Sequence, residues 1–296
     1  MKSLTRIFVV FCACNALALV ALAGPESLPS GKEMIAPAPP PSGCSWSGFY
    51  VGINGGYTWS DSDWVHTDSR DVFGNPGLVA GTVSGVVAAD LATFSLSASN
   101  DGFIGGGQVG YNQQFGRWFL LGVELDMQGV FGSDHRTLAD SSMPVPGFPN
   151  NPIDQSAHVF REIDSLGTIR GRVGITLMPC LLIYGTGGFA YGEAVSRTDI
   201  TQFVTNAPLL PNAYHAHGMW DNLRPGWTAG GGFEWMFMTH WSIKGEYLFY
   251  DLGSVSYQLS HLRNFNTTPT LFTDTAPVSH TSFEGNIVRG GLNFHF

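Results

Sequence analysis

Apolar and polar side chains alternate along most of this chain, and the alternation is clearest in residues 286–296. One parity of that segment is apolar and holds Val288, Leu292, Phe294 and Phe296. The other parity carries Arg289, Asn293 and His295. Successive side chains of a β-strand point to opposite faces. The segment therefore predicts a strand with one apolar face and one polar face.

The same two-residue period occurs in seven further segments, each about ten or more residues long, which is the length that a tilted strand needs to cross a membrane. With the last segment, they cover residues 48–60, 102–115, 118–131, about 166–177, about 181–195, 226–237, 241–252 and 286–296. The facing of the fifth segment stays open, because its Gly-rich centre fits either parity.

The connections between these segments alternate between short and long. Tight turns are predicted near Gly116, Pro179 and Thr239. The long connections cover about 61–101, 132–162, 196–225 and 253–284. Short periplasmic turns and long extracellular loops are typical of outer-membrane barrels. The chain is therefore predicted to be all-β, an eight-stranded antiparallel transmembrane β-barrel with short periplasmic turns and long extracellular loops.

The first residues have the pattern of an export signal. Lys2 and Arg6 precede an apolar stretch at 7–20, and Ala21-Leu22-Ala23 offers a small-x-small cleavage site. Residues 1–23 are therefore predicted to be a signal peptide. Residues 24–47 are rich in Pro and predict a periplasmic linker, so the barrel is expected to cover 48–296.

Composition narrows the function. The chain is 44% hydrophobic and only 12% charged, yet beyond the N-terminus it has no apolar run of eighteen residues, which disfavours transmembrane helices. Removal of Lys2 and Arg6 with the signal leaves 12 basic and 23 acidic residues, a formal charge of −11. A strongly acidic chain is unsuited to binding phosphate backbones, so nucleic acid is excluded as a partner.

Several ordered motifs resemble one family. They are WSGFYVGINGGY (46–57), GVELDMQG (122–129), GTIRGRVG (167–174), YGTGGFAYG (184–192) and KGEYLFYDLG (244–253). The chain resembles the outer-membrane immunogenic protein family of alphaproteobacteria, within the OmpA-like or opacity-like group of eight-stranded barrels. The resemblance implies an outer-membrane location and lipid as surroundings, and no cofactor is predicted. It also implies that the barrel-assembly machinery reads Phe294 and Phe296 as an assembly signal.

The inward face of the predicted barrel carries equal numbers of acidic and basic groups. These residues are Glu124, Asp126, Glu234, Glu246, Arg170, Arg172, Lys244 and Arg289. An eight-stranded barrel is only wide enough for its own side chains, and buried charges are tolerated when paired. The pattern predicts a lumen plugged by a charge network, in a protein with a structural role in the envelope and a surface-interactive one. The alternative is a narrow porin or solute channel.

Other chemistry is weakly indicated. Ser and His residues are numerous, but no spacing forms a recognisable catalytic triad, so no enzyme and no metal site is predicted. His215 and His217 lie in the third long loop. Imidazoles are common ligands, and some members of the resembled family are associated with haem. These two residues leave loop-mediated haem or small-ligand binding open beside the simpler interpretation of solvated histidines.

Three further features concern the two ends of the barrel. Cys44 and Cys180 are both expected on the periplasmic side, where a disulfide is permitted but two separate cysteines are equally compatible. Residues 78–96 are apolar and predict an extended hairpin, a contact surface or strand extension, and the loops are open to host or antibody contact. An aromatic girdle is expected, with Trp46, Trp118, Trp235 and Trp241 at the periplasmic rim and Trp59 and Trp227 at the outer rim.

Overall fold

The computed structural model describes residues 44–72, 79–132, 135–204, 213–267 and 270–296. The predicted signal peptide and the linker up to residue 43 lie outside these ranges. The strands are β1 (Gly48–Ser60), β2 (Trp64–Asp71), β3 (Phe94–Ser97), β4 (Gly102–Phe115), β5 (Phe119–Phe131), β6 (His135–Val145), β7 (Phe148–Met178), β8 (Leu181–Val204), β9 (Tyr214–Met238), β10 (Trp241–Gln258), β11 (Leu262–Thr267) and β12 (Thr270–His295). Within the described ranges there is one helix, α1, which covers Val79–Leu91. None of the helical residues described forms a segment long and apolar enough to cross a membrane.

Eight of the strands form a closed antiparallel ring in the order β1-β4-β5-β7-β8-β9-β10-β12, and β12 pairs back onto β1. The predicted eight-stranded antiparallel barrel is therefore confirmed. We call the end with the tight β4–β5, β7–β8 and β9–β10 connections the turn end, and the opposite end the loop end. Large apolar side chains are exposed along the outward face of the ring, among them Phe49, Ile53, Val123, Val173, Phe233 and Tyr247. Such a belt on a closed ring matches surrounding hydrocarbon.

The fifth predicted strand, now β8, has a definite facing. Leu182, Tyr184 and Ala190 point inward and are buried, whereas Ile183 and Phe189 are exposed on the outward face. Cross-strand pairing with β7 and β9 fixes this facing, because both neighbours have unambiguous apolar outward residues. Among the central glycines that obscured the parity, Gly188 lies where a side chain would meet the neighbouring strand, because a Cβ added there would lie 2.1 Å from the Ile169 carbonyl oxygen.

The girdle prediction is wrong for Trp46. Trp118, Trp235 and Trp241 are exposed at the turn end, but Trp46 is fully buried in the mouth of the barrel. Its indole Nε1 donates a hydrogen bond to the Pro179 carbonyl at 3.1 Å. The physical reason is the chain path, because the segment before β1 turns into the mouth instead of continuing along the lipid-facing wall.

Several ring strands continue past the apolar belt and build a second wall at the loop end. The fourth predicted strand, 166–177, is part of β7, which has 31 residues. In the same way β8, β9, β10 and β12 take up most of the predicted long loops, and β2 pairs with β12 in place of β1. The second wall is therefore mainly strand extension.

Two β-bulges mark the edge of the apolar belt and reverse which parity faces inward. In β7 the register shifts between Ile163 and Ser165, and in β10 between Asp251 and Ser254. On the turn-end side of the bulges, odd-numbered apolar residues such as Ile169 and Tyr247 face outward. On the loop-end side, the odd-numbered residues Val159 and Tyr257 are buried inside. A bulge adds one unpaired residue and so rotates the following side chains to the other face. The apolar parity thus passes from the lipid side to the interior.

The apolar stretch 78–96 contains α1 and β3, and the helix was not predicted; residue 78 itself lies outside the described residues. The C-terminal turn of α1 packs Val87, Ala88 and Leu91 against inward side chains of the second wall. Gln155 Nε2 donates to the Leu91 carbonyl at 2.6 Å and Gln202 Nε2 to the Ala88 carbonyl at 2.9 Å. The Leu91 carbonyl is one of those that a helix end leaves without an intrahelical partner, whereas the Ala88 carbonyl also accepts from the Ala92 N–H at 3.1 Å. Alternation could not predict this helix, because tertiary partners stabilise it.

Arg161 ties three segments together where the two walls meet. Its fully buried guanidinium donates to the carbonyl oxygens of Ser62, Ala98 and Ser282 and lies 5.0 Å from the ring centroid of Phe283. It forms no ion pair with any residue that the structure describes. Burial lowers the pKa of Arg161 to about 10, so the side chain is still protonated at neutral pH. The arginine therefore acts as a hydrogen-bonding clamp.

We predict that Arg161→Met destabilises the refolded protein by about 2–3 kcal/mol, because three carbonyls lose the hydrogen bond from Arg161, one of them a buried bond. The measurement is the urea midpoint of unfolding, followed by gel mobility in detergent. Arg136→Met is the matched control, since Arg136 is exposed and stacks on Phe160 at 5.5 Å. Equal midpoints for the two variants would contradict the clamp.

Candidate functional site in the barrel interior

The alternation of the ring strands places the eight predicted charged residues inside the barrel. Glu124 and Asp126 come from β5, Arg170 and Arg172 from β7, Glu234 from β9, Lys244 and Glu246 from β10, and Arg289 from β12. All eight side chains are fully shielded from solvent. Four carboxylates and four cations thus share one enclosed space, and their formal charges cancel.

Glu124 is the centre of this charge network, because its carboxylate lies within 4 Å of all four cations. Lys244 Nζ is 2.9 Å from Oε1, Arg172 Nη1 is 3.4 Å from Oε2 and Arg289 Nη2 is 3.6 Å from Oε1. Arg170 Nη2 also donates to Oε1. The strand register explains the last contact, because Glu124 and Arg170 are direct partners across β5 and β7. Removal of this carboxylate would therefore take a partner from all four cations at once.

Asp126 and Glu246 connect Arg170 to Arg289. The Asp126 carboxylate accepts from Nη2 of both arginines at 2.8 Å. Glu246 accepts from Arg170 Nη1 at 2.9 Å and from Arg289 Nε at 2.7 Å. Charge-assisted hydrogen bonds of this kind are about twice as strong as neutral ones. Two arginines and two carboxylates therefore form a closed circuit across the lumen.

Two tyrosines extend the charge network around Arg172. The guanidinium lies over the Tyr184 ring, 3.9 Å from its centroid, and donates to the Tyr50 hydroxyl at 2.6 Å. The Tyr50 hydroxyl donates to Glu124 at 2.6 Å and the Tyr184 hydroxyl to Glu246 at 3.0 Å. The sequence analysis missed both tyrosines as members of the network. Tyr50 shares the inward parity of Asn54 and Thr58, so its position could have been predicted. It was missed because only charged inward residues were considered.

Glu234 is held by three polar neighbours near the turn end in addition to Arg172. Ser242 Oγ and Asn293 Nδ2 each donate to Glu234 Oε1 at 2.6 Å, and His295 Nε2 lies 3.3 Å from the same oxygen. Arg172 Nη2 reaches the other oxygen at 2.7 Å. A buried carboxylate needs such partners to offset its lost hydration. The polar face of the terminal strand therefore serves the charge network directly.

Apolar side chains close the space on both sides of the charge network. Toward the turn end they are Trp46, Leu120, Leu182 and Met236, together with the ring of Tyr184. Toward the loop end a larger cluster includes Ile104, Leu166, Leu248, Leu252, Phe283 and Ile287. The sequence analysis considered only polar residues inside the barrel and missed both layers. The interior is thus a charged layer between two apolar ones.

The two cysteines left open by the sequence are joined by a disulfide between Cys44 and Cys180, with Cα atoms 5.1 Å apart. Both sulfur-bearing side chains pack on the apolar layer at the turn end. The bond fixes the segment before β1 to the tight turn between β7 and β8. Trp46 is thereby held in the mouth of the barrel.

His215 and His217 lie on the outward, exposed face of β9, away from the interior. His215 Nδ1 is 2.9 Å from Thr201 Oγ1, and His217 Nδ1 is 2.5 Å from Asp199 Oδ1. Across the ranges that the structure describes, no three His, Cys, Asp or Glu side chains are grouped so as to hold a metal ion.

The two terminal phenylalanines lie at the turn end. Phe294 contacts Trp241 edge to face at a centroid distance of 5.2 Å and Phe296 at 5.3 Å. The Phe296 side chain is 73% exposed, and its backbone N–H donates to the Phe49 carbonyl at 3.0 Å. The backbone of Phe296 therefore helps to close the ring, while its side chain stays accessible.

Comparison with known proteins gives a consistent result. Residues 34–296 match a family described as outer membrane protein beta-barrel domain. The 31 kDa outer-membrane immunogenic proteins of Brucella melitensis and Brucella suis are each 29% identical to this chain over 257 residues, covering 85% of this chain and 84% of theirs. Among solved structures, OprG of Pseudomonas aeruginosa is 13% identical with a TM-score of 0.39, covering 86% of this chain and 99% of its own.

We predict that Glu124→Gln lowers the free energy of unfolding by about 3–5 kcal/mol, because it leaves a buried positive charge without compensation. Adding Lys244→Met to this variant removes that excess charge and should restore at least half of the loss. Urea midpoints of the refolded proteins measure both effects. Asp199→Asn is the control, since an exposed ion pair contributes about 0–1 kcal/mol. A single variant as stable as this control would disprove the central role of Glu124.

Proposed function

The chain belongs to the outer-membrane β-barrel domain family, as its strand motifs predicted, and on that premise we propose that it is a closed surface barrel. It lies in the outer membrane. Its proposed role is to contribute to envelope integrity while its loop end, facing outward from the cell, meets host molecules or antibodies. No catalytic step is part of this proposal.

The observation that carries the proposal is the layered interior. An ion crossing the barrel would have to displace the paired charges around Glu124 and then pass an apolar layer on either side. Breaking a buried ion pair costs about 3–5 kcal/mol, and apolar constrictions exclude hydrated ions. These costs favour a closed barrel over the alternative of a narrow porin.

The surface role is supported by the relatives and by the second wall. The Brucella proteins bear the name immunogenic, and the second wall presents mainly polar outward residues beyond the apolar belt. Strand extensions held by backbone pairing offer a stable surface for recognition. The proposal assigns this contact to the wall, and no observation among the described residues favours haem binding through His215 and His217.

We predict that the refolded, signal-free protein is silent in single-channel recordings across a planar bilayer. Insertion is verified separately by the protease resistance of matched proteoliposomes. Arg170→Ala is also expected to be silent, because the apolar layers remain after its ion pairs are lost. Arg136→Ala is its control, since Arg136 is exposed on β6. Steady, discrete openings of the wild type would contradict the closed barrel and establish a pore.

We further propose that the barrel-assembly machinery reads Phe296. Deleting Phe296 should lower the amount of protein assembled in the outer membrane of cells. The exposed side chain contributes little to stability, so Phe296→Ala should change the free energy of unfolding of the refolded protein by less than about 0.5 kcal/mol. Unchanged assembly in cells for both variants would exclude a recognition role.

A further inference from the structure

A row of polar side chains crosses the outward face of the second wall on four strands. Ser256 of β10, His280 of β12, His66 of β2 and Ser95 of β3 are consecutive cross-strand partners. Ser256 Oγ lies 2.7 Å from His280 Nδ1, and Ser95 Oγ lies 2.6 Å from His66 Nδ1. Although the side chains are exposed, hydrogen bonds fix the orientation of both imidazoles.

Asp68 joins the two imidazoles from the adjacent position of β2. Its Oδ1 lies 3.1 Å from His66 Nε2 and its Oδ2 lies 3.8 Å from His280 Nε2. His66 is therefore held at both ring nitrogens, by Ser95 on one side and by Asp68 on the other. His280 is held at Nδ1 by Ser256, and its Nε2 lies near Asp68 without a hydrogen bond to it. Pre-oriented polar groups bind a ligand at lower entropic cost than mobile ones.

A shallow groove of about 240 Å³ lies beside this row, with the exposed indole of Trp64 at its edge. The other lining residues are Ser254, Val255, Ser256, His280, Thr281 and Ser282. Trp64 is 58% exposed and belongs to none of the buried apolar clusters. Hydroxyls of Ser254 and Ser282, which are cross-strand partners, face the groove without a side-chain partner in the described part of the chain.

This combination fits a sugar ring better than an ion or an apolar molecule. A pyranose has an apolar face of C–H groups, which packs on an aromatic ring, and a rim of hydroxyls that both donate and accept hydrogen bonds. Trp64 offers the aromatic surface, while serine and threonine hydroxyls and His280 offer the polar partners. None of the lining residues carries a lysine or arginine charge, as a site selecting an anionic group would.

The position of the groove identifies the source of the sugar. Ser254 lies five residues beyond Phe249, one of the last residues of β10 in the apolar belt, which is roughly 17 Å along the strand at about 3.3 Å per residue. Ser254, Ser256 and His280 of its lining are exposed on the outward face of the second wall, so the groove faces away from the barrel axis. That places it in the carbohydrate layer formed by the glycolipid of the outer leaflet.

We propose that this groove binds a neutral saccharide unit in the core of the surrounding lipopolysaccharide, with Trp64 stacked on the sugar ring. The site is independent of the interior, so it does not depend on whether the barrel conducts. It would anchor the second wall to the glycolipid layer around each barrel.

The test is a titration of the refolded protein in nanodiscs with deacylated core oligosaccharide from a rough lipopolysaccharide, monitored by calorimetry. The probe lacks acyl chains, so it cannot bind through the apolar belt. We expect saturable binding by the wild type and a loss of about tenfold in affinity for Trp64→Ala, equal to about 1.4 kcal/mol. Trp64→Phe, which keeps a ring, should bind within about threefold of the wild type.

Trp118→Ala is the matched control, because Trp118 is also an exposed tryptophan but lies at the turn end. It should bind as the wild type does, and gel mobility before and after heating verifies that each variant is folded. Ser254→Ala with Ser282→Ala tests the hydroxyl partners and should weaken binding without changing stability. Absence of saturable binding, or full binding by Trp64→Ala, overturns the proposal. Binding of intact lipopolysaccharide but not of the free oligosaccharide also overturns it, since that result assigns the contact to acyl chains.

Discussion

A ring of eight strands encloses too little space for water, so every inward polar group needs a partner from the protein itself. For its four carboxylates, the interior satisfies this constraint with a cancelling set of charges organised around Glu124. Tyrosine hydroxyls, Ser242 and Asn293 complete the partners of the carboxylates. Because the carboxylates and their partners come from β1, β5, β7, β8, β9, β10 and β12, these interactions also join strands that are not neighbours. The inward polar groups thus find their partners only when the ring of strands is closed.

The surroundings of the wall change from hydrocarbon at the apolar belt to water at the second wall, and the same strands run through both regions. Within the apolar belt β10 presents Tyr247 outward and Glu246 inward; beyond it, Ser256 faces outward and Tyr257 inward. The bulges in β7 and β10 make this inversion without a break in the strand. A charged interior inside an apolar wall is therefore followed by an apolar interior inside a polar wall. Arg161 lies at the junction between the charged interior and the apolar interior, where the two walls meet.

The sequence predicts the ring because alternation reports on faces, and both β1 and β4 begin and end at the predicted residues. It does not predict the second wall. Past the bulges in β7 and β10 the apolar residues keep the same parity along the sequence, but that parity now faces inward instead of outward. The charged residues of the interior could be named from parity, but Tyr184 could not, since the glycines of β8 conceal its facing. Trp46 and α1 depend on tertiary contacts, with Pro179 and with Gln155 and Gln202, which leave no local pattern.

The disulfide has a mechanical consequence. In the ring order, the β7–β8 turn that carries Cys180 lies diametrically opposite β1, which follows Cys44. Hydrogen-bonded neighbours resist separation, but a ring held only by its neighbours can still flatten into an ellipse under lateral pressure from the bilayer. A covalent brace across the diameter opposes that flattening at one rim. The disulfide therefore stiffens the cross-section of the barrel at the turn end, where the strands are joined only by tight connections.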